Sequence, residues 1–340
     1  MGGADVTTRP LLDTYGRLHR DLRVSLTDRC SLRCTYCMPA EGVPWLPGPS
    51  LMTTEELVRL AAVAVDLGVE EIRLTGGEPL LRPDVVDVVR RLAALRAPHV
   101  PHGPDLSLTT NGLRLPELAA PLADAGLRRV NVSLDTLRRD RFRDLTRRDR
   151  LVGTLAGIAA ADAVGLAPVK INAVVMRGVN DDEVVDLVRF AASHGYEMRF
   201  IEQMPLDAGH TWSRAQMVTG PEILAALEAA FTLTPLPGRG SAPAQRWLVD
   251  GGPATVGVIA SVTAPFCGAC DRLRLTADGK LRSCLFARTE TDLGALPRAG
   301  ASDEDLAAAV RDCLRGKLPG HGIDDPSFLQ PDRPMNAIGG

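Results

Sequence analysis

The chain has 340 residues, 45% hydrophobic and only 4% aromatic, and its 39 basic residues against 42 acidic ones leave a formal net charge of −3. That balance speaks against bulk nucleic-acid binding or attachment to an anionic membrane, while leaving a small anionic substrate open. The N-terminus has no apolar leader core and no apolar run approaches membrane-spanning length, so a cytoplasmic protein is expected, about the size of a barrel plus an extension.

Residues 1–20 show no periodicity and read as a surface arm. Leu22–Leu26 reads as a strand leading into Cys30-Ser-Leu-Arg-Cys34-Thr-Tyr-Cys37. Three thiolates on one loop can hold three corners of an iron-sulfur cubane and leave its fourth iron open. A structural zinc wants a fourth protein ligand, and none lies close by. Thr53 with Glu56 forms a capping-box signal for a helix whose face is Leu57, Leu60, Ala61 and Ala64, ending at Gly68.

This strand-loop-helix unit recurs. Glu71–Leu74 precedes Gly76-Gly77-Glu78-Pro79 and a helix from about Pro83; Leu106–Thr109 precedes Thr110-Asn111-Gly112 and a helix from Pro116 to Gly126. Arg129–Leu134 is the fourth strand, and the Arg-rich stretch after it, broken by Asp140, Asp144 and Asp149, reads as a solvated helix. Val169–Val175 is the fifth strand, with Asn180-Asp181-Asp182 capping the next helix; Glu197–Ile201 is the sixth, followed by a helix from Pro221. Six strands alternating with helices imply a parallel sheet, and right-handed crossovers curl it into a partial (β/α)6 barrel with working groups at the carboxyl ends of its strands. A doubly wound open sheet is the competing geometry.

After about residue 232 the rhythm changes to short strands, Gln245–Val249 and Thr255–Val262, and reads as a separate appended region. A second triplet, Cys267, Cys270 and Cys284, spans a hairpin turning at Asp278-Gly279; a two-residue turn there places Cys284 opposite Leu273. This triplet is half a zinc ribbon or a second open cluster. Arg272 and Arg274 share one strand face, suited to an anion or simply solvated. Ser302 and Asp305 start a helix holding Cys313, which reads as a small buried hydrophobe, and the six histidines lack metal-ligand spacing. The expected division is an arm at 1–20, a barrel at 21–231 and a cluster-binding region at 232–340 with a Gly-Gly tail.

The first cysteine loop, with Tyr36 before its last cysteine, resembles that of radical S-adenosylmethionine enzymes, and Gly76–Pro79 resembles their GGEP motif. With Leu108-Thr-Thr-Asn-Gly112, Asn131-Val-Ser-Leu-Asp135, Arg199-Phe-Ile-Glu202, the second triplet with its Arg-x-Arg and the terminal Gly-Gly, the chain resembles the GTP 3′,8-cyclase family from about Leu22 to Gly340. That family carries out the first step of molybdenum cofactor biosynthesis. The resemblance implies an α/β fold, a partial barrel of the radical S-adenosylmethionine type with an α+β C-terminal extension, and two [4Fe-4S] clusters on Cys30, Cys34, Cys37 and on Cys267, Cys270, Cys284. It implies S-adenosylmethionine contacts at Tyr36, Gly76, Gly77, Glu78, Ser133 and Met204, and GTP contacts at Arg23, Arg73, Thr109, Lys170, Arg272 and Arg274. Five of those six GTP residues are cations, which a triphosphate needs.

The implied reaction, of the lyase class, removes the C3′ hydrogen of GTP with a 5′-deoxyadenosyl radical. The C3′ radical then adds to C8, giving (8S)-3′,8-cyclo-7,8-dihydroguanosine 5′-triphosphate. By the same resemblance Arg23 assists the closing reduction and Gly339-Gly340 inserts into the site; an electron donor and the next enzyme of the pathway are the partners, and the protein is a monomer or homodimer. Read without the resemblance, Arg23 and Lys170 are members of inward ion pairs and the Gly-Gly end is a disordered tail. The competing functions are a peptide-modifying radical enzyme with one auxiliary cluster, and a zinc-bearing binding scaffold.

Overall fold

The computed structural model describes residues 10–339; residues 1–9 of the expected arm, and Gly340, lie outside the described residues. Strands β1 (Asp21–Ser25), β2 (Glu71–Thr75), β3 (Asp105–Thr110), β4 (Arg129–Ser133), β5 (Lys170–Val175) and β6 (Glu197–Glu202) pair in sequence order and all run parallel. Helices α1 (Thr54–Asp66), α2 (Val85–Ala93), α3 (Leu115–Asp124), α4 (Arg139–Thr146), α5 (Leu151–Ala163) and α6 (Val184–Ser193) fill the crossovers, and α7 (Gly220–Glu228) follows β6. Strand order never reverses, which favours the barrel type over the doubly wound sheet.

Local chemistry sets the element ends. At α1 the Thr53 hydroxyl accepts from Glu56 N at 3.2 Å and the Glu56 carboxylate accepts from Thr53 N at 2.9 Å, a reciprocal cap worth about 1 kcal/mol. Ser302 and Asp305 repeat the device at α9 (Asp303–Arg315), and Thr219 with Glu222 at α7. Asn180, expected as a cap, does something else. Its amide donates to the carbonyls of Asp135 and Val174 while its oxygen accepts from Met176 N, lacing the β4 and β5 loops together.

The Arg-rich stretch is not one solvated helix. α4 ends where Arg147 takes a left-handed φ of 56°, and its guanidinium donates to the carbonyls of Arg33 and Met38 at 3.0 and 2.9 Å, clamping the first cysteine loop. The arm differs too: Asp13, Arg17 and His19 are buried within a tight turn instead of skimming the surface.

The C-terminal region does not stand apart. β7 (Leu233–Pro235), β8 (Gln245–Val249) and β9 (Thr255–Ile259) extend the sheet beyond β6, with β9 parallel to it. β10 (Arg272–Leu275), β11 (Lys280–Arg282) and β12 (Thr291–Asp292) extend it beyond β1, with β10 parallel to β1, making twelve strands among the described residues. Helices α8 (Ala295–Arg298), α9 and α10 (Met335–Ile338) complete the chain, and among the described residues no helix is long and apolar enough to cross a membrane.

The β10–β11 hairpin corrects the expected register. Leu275 pairs with Leu281 and Arg274 with Arg282. Thr276 N donates to Lys280 O, so the loop is the three residues Ala277-Asp278-Gly279, with Gly279 at φ 79°. A two-residue turn would shift every partner by one; here Cys284 lies beyond the ladder and has no opposite number.

Candidate active site

Along each barrel strand apolar and polar residues alternate. Leu22, Val24, Ile72, Leu74, Leu106, Leu108, Val130, Val132, Ile171, Met198 and Phe200 belong to the buried core, whereas Asp21, Arg23, Glu71, Arg73, Thr109, Arg129, Asn131, Ser133, Lys170, Asn172 and Arg199 line a cavity of about 480 Å³. Buried parallel strands are normally apolar on both faces. A polar inner face marks a lumen built for a polar guest. Register sets its rows: Arg274, Arg23 and Arg73 stand side by side across β10, β1 and β2, Asn131 stands beside Lys170, and Asn172 beside Arg199.

The carboxyl end of the lumen is made by two loops locked together. Gly77 N donates to Thr27 O and Glu78 N to Arg29 O, both at 2.7 Å. Gly76 has φ 137°, and a Cβ there would press on the Thr27 carbonyl; one on Gly77 would press on the carbonyls of Arg29 and Asp28. Only glycines allow this approach. The Glu78 carboxylate accepts from Thr110 Oγ1 and Asn111 N at 2.7 Å and from Leu80 N at 3.1 Å, tying the loop to the end of β3. Burial nonetheless holds its pKa above the ordinary value.

Cys30, Cys34 and Cys37 project from the partner loop, which Arg33 N and Thr35 N fasten to the carbonyls of Thr146 and Leu145 at 2.9 Å. Burial pushes the Cys30 thiol up to about 11 and the Cys37 thiol up to about 12, and Cys34 well above its usual range. Tyr36 donates to Asp135 Oδ2 at 2.8 Å, and burial raises Asp135 to about 6.

The second triplet is at the other end. Cys267 and Cys270 precede β10, which runs parallel to β1, and Cys284 follows the antiparallel β11, so this triplet sits by the amino ends of the barrel strands. The working groups are therefore not all at the carboxyl end, and the length of a five-residue strand, about 16 Å at ~3.3 Å per residue, separates the two ends. The cations fill this interval: Lys170 and Arg272 open their strands and Arg23, Arg73 and Arg274 lie within theirs.

Asp21 is the counter-charge to these cations. It accepts from Arg272 Nε at 3.2 Å and lies 3.9 Å from Arg23 Nε. Burial pushes its pKa up, but Arg23, Arg272, Arg73 and Arg274 outweigh that and hold it below the carboxylate range. Burial, then Arg272, brings Arg274 down to about 10; burial, then Arg199, brings Lys170 down to about 8. Asp21 Oδ1, Arg23 Nε, Arg73 Nε and Asn172 Oδ1 are buried with no hydrogen-bond partner. The lumen thus holds more positive charge and more unsatisfied polar atoms than its own groups balance, which suits an anionic guest.

Met335, Asn336 and Met204 close one side of the cavity. The C-terminal segment enters it: Ser25 Oγ donates to Ile338 O at 3.0 Å, Asn336 Nδ2 to Asp28 O at 3.1 Å, and Arg274 donates to the Gly339 carbonyl. Gly339 is buried at φ 87°, against Ser25 and Thr75. Gly340 lies outside the described residues.

All six triplet cysteines are free thiols lining this one cavity. Among the described residues no three Cys, His, Asp or Glu side chains converge on the position of a single ion. A cubane does not ask them to, because each cysteine binds a different iron, and an all-thiol set of three fits such a cluster with one iron open.

Two family models match the chain: the radical SAM superfamily over residues 24–191 and Molybdenum Cofactor Synthesis C over residues 196–323. The GTP 3′,8-cyclase of Streptomyces coelicolor is 61% identical over 333 residues, covering 97% of this chain and 96% of that protein. The chain belongs to the GTP 3′,8-cyclase family. A second relative, GTP 3′,8-cyclase 2 of Mycobacterium tuberculosis, is 56% identical over 340 residues, covering 98% of this chain and 93% of its own. Streptococcus suis SuiB shares the fold, with a TM-score of 0.60 at 14% identity over 91% of this chain and 68% of that one.

For a GTP 3′,8-cyclase family member, the lumen also contains groups the sequence reading passed over. Asp21, Glu71, Asn131 and Asn172 sit two residues from named ones on the same strands, and the period-two alternation could have found them, as it could Arg129, four residues before Ser133; Arg199 opens the quoted Arg-Phe-Ile-Glu stretch on β6, a strand with no named site residue. Asp135, the last residue of the quoted Asn131–Asp135 stretch, is held by Tyr36, whereas Phe266, whose ring lies 4.6 Å from the Arg272 guanidinium carbon, had no signal in the sequence because a loop contact places it.

Proposed function

We propose that the chain converts GTP to (8S)-3′,8-cyclo-7,8-dihydroguanosine 5′-triphosphate, as a lyase with one [4Fe-4S] cluster at each end of the lumen. The observation that carries this reading is the placement of two three-thiol sets at opposite ends of one cavity whose walls are Arg23, Arg73, Lys170, Arg272 and Arg274. Cys30, Cys34 and Cys37 would hold the first cluster, and Cys267, Cys270 and Cys284 the second. With S-adenosylmethionine bound, the first centre would supply the 5′-deoxyadenosyl radical chemistry that removal of the C3′ hydrogen needs.

The chain's own residues do the rest by positioning. Gly76 and Gly77 bring backbone within reach of a ligand at the carboxyl end, and Tyr36, Ser133 and Met204 stand around it. The cation rows bind the triphosphate, with Thr109 at the level of Asn131 and Lys170, and so present the nucleoside between the two ends. Gly339 and the tail shut out water beside Arg274. The burial of Arg23 among cations, hydrogen-bonded to nothing at Nε, supports its assisting the closing reduction. A cytoplasmic setting, an electron donor and a following enzyme that takes the product complete the reading.

The test is anaerobic. After reconstitution with iron and sulfide, dithionite, S-adenosylmethionine and GTP are added, and 5′-deoxyadenosine and the cyclised nucleotide are followed by chromatography. GTP-dependent 5′-deoxyadenosine with one cyclised product per turnover is the expected result. GTP left intact while 5′-deoxyadenosine accumulates overturns the substrate assignment.

A further inference from the structure

Lys317 belongs to no motif and does not line the lumen, yet it is only 3% exposed. Its ammonium donates to Arg272 O at 2.8 Å and lies 3.7 Å from Cys270 Sγ. Among the described residues it has no ion pair with a carboxylate. A buried ammonium without such a partner is costly unless another anion compensates it; among the described residues the groups that favour its charge are first the thiols of Cys270 and Cys284, and then Asp13, which is already paired with Arg17 and His19.

Its placement is enforced. Lys317 follows α9, and the next two carbonyls are captured by Arg17, which donates to Leu318 O at 2.7 Å, to Pro319 O at 3.0 Å and to Cys267 O at 2.8 Å. Arg17 is itself fixed by Asp13 at 2.5 Å, and Asp13 by His19 at 3.1 Å. One guanidinium therefore staples the lysine segment to the cysteine loop.

We propose that Lys317 is a positioning residue for the second cluster, balancing its charge from the side away from the substrate. The inference rests on the two-cluster reading above. A cubane on three thiolates is anionic and gains one more negative charge on reduction, so a fixed cation behind it favours cluster retention and raises its reduction potential.

The experiment uses the full chain with Cys30, Cys34 and Cys37 changed to Ala, so that only the second centre can load. Iron binding, an EPR-monitored redox titration and a thermal melt are compared for this parent and for parents carrying Lys317→Met or Lys317→Arg. Lys317→Met is expected to shift the potential in the negative direction and to weaken cluster retention by about 10–100-fold, whereas Lys317→Arg keeps both near the parent values. Equal potential and retention in all three proteins overturn the proposal, as does a melt lowered alike by both substitutions without a charge-dependent change in potential. A parent that takes up no cluster overturns the two-cluster reading itself, a result visible before any lysine variant is compared.

Discussion

Replacing Gly77 with Ala tests the locked loops at the carboxyl end of the lumen. The added Cβ falls on the carbonyls of Arg29 and Asp28, so the loops must part. Parting them sacrifices the Gly77–Thr27 and Glu78–Arg29 hydrogen bonds, both 2.7 Å long. At about 1 kcal/mol for each bond, plus 1–3 kcal/mol for a buried group left unpaired, the cost is roughly 3–5 kcal/mol. With an unfolding entropy of about 2.1 cal/mol/K per residue, a chain of 340 residues converts that into a melting point lower by roughly 4–7 °C. S-adenosylmethionine affinity, measured by calorimetry on the reconstituted protein, should fall at least tenfold, and 5′-deoxyadenosine formation with it. Gly268→Ala is the control: a Cβ there meets nothing within 4 Å and φ is ordinary, so stability should not move although the site lies within the second cysteine loop. A Gly77→Ala protein that binds S-adenosylmethionine like the parent would refute the close-approach argument.

Further outcomes follow from the same geometry. Lys170 holds a pKa of about 8 in the free site, and a bound triphosphate favours its charged form. GTP affinity is therefore fully present below about pH 8 and declines as pH rises past it, by about tenfold for one charge-assisted contact; Lys170→Met should bind weakly at every pH, and a parental decline in that variant refutes the assignment. Glu78→Gln puts an amide where three donors converge on a carboxylate and should cost about 1–3 kcal/mol in a thermal melt. Arg333 ties the tail to Asp278 and Glu290, so Arg333→Met should free residues 335–339 to limited proteolysis and depress cyclised product more than 5′-deoxyadenosine.

The six barrel strands, the caps at Thr53 and Ser302 and both cysteine triplets could be read from local pattern, because period, capping chemistry and thiol spacing are local properties. α5 was not foreseen, since Leu151–Ala163 is apolar around most of its circumference and carries little one-sided signal. Arg147 looked like one charge among many and became a clamp through a left-handed turn that only tertiary contact selects. The junctions of β9 with β6 and β10 with β1 join residues far apart in sequence, and no periodicity encodes which margin a short strand will find. The polar face of the lumen was half legible: the named cations came from resemblance, whereas their neighbours two residues away were written in the alternation itself.

The pairing of β10 with β1 also sets an order of assembly. Arg272 reaches Asp21 across 251 positions of sequence, so β1 keeps one bare edge until nearly the whole chain has been synthesised. During that interval the first cysteine loop hangs beside an unfinished wall, and the second does not yet exist. The wall that β10 adds beside β1 is therefore a late event in the life of each molecule, raised long after the strand it stands against.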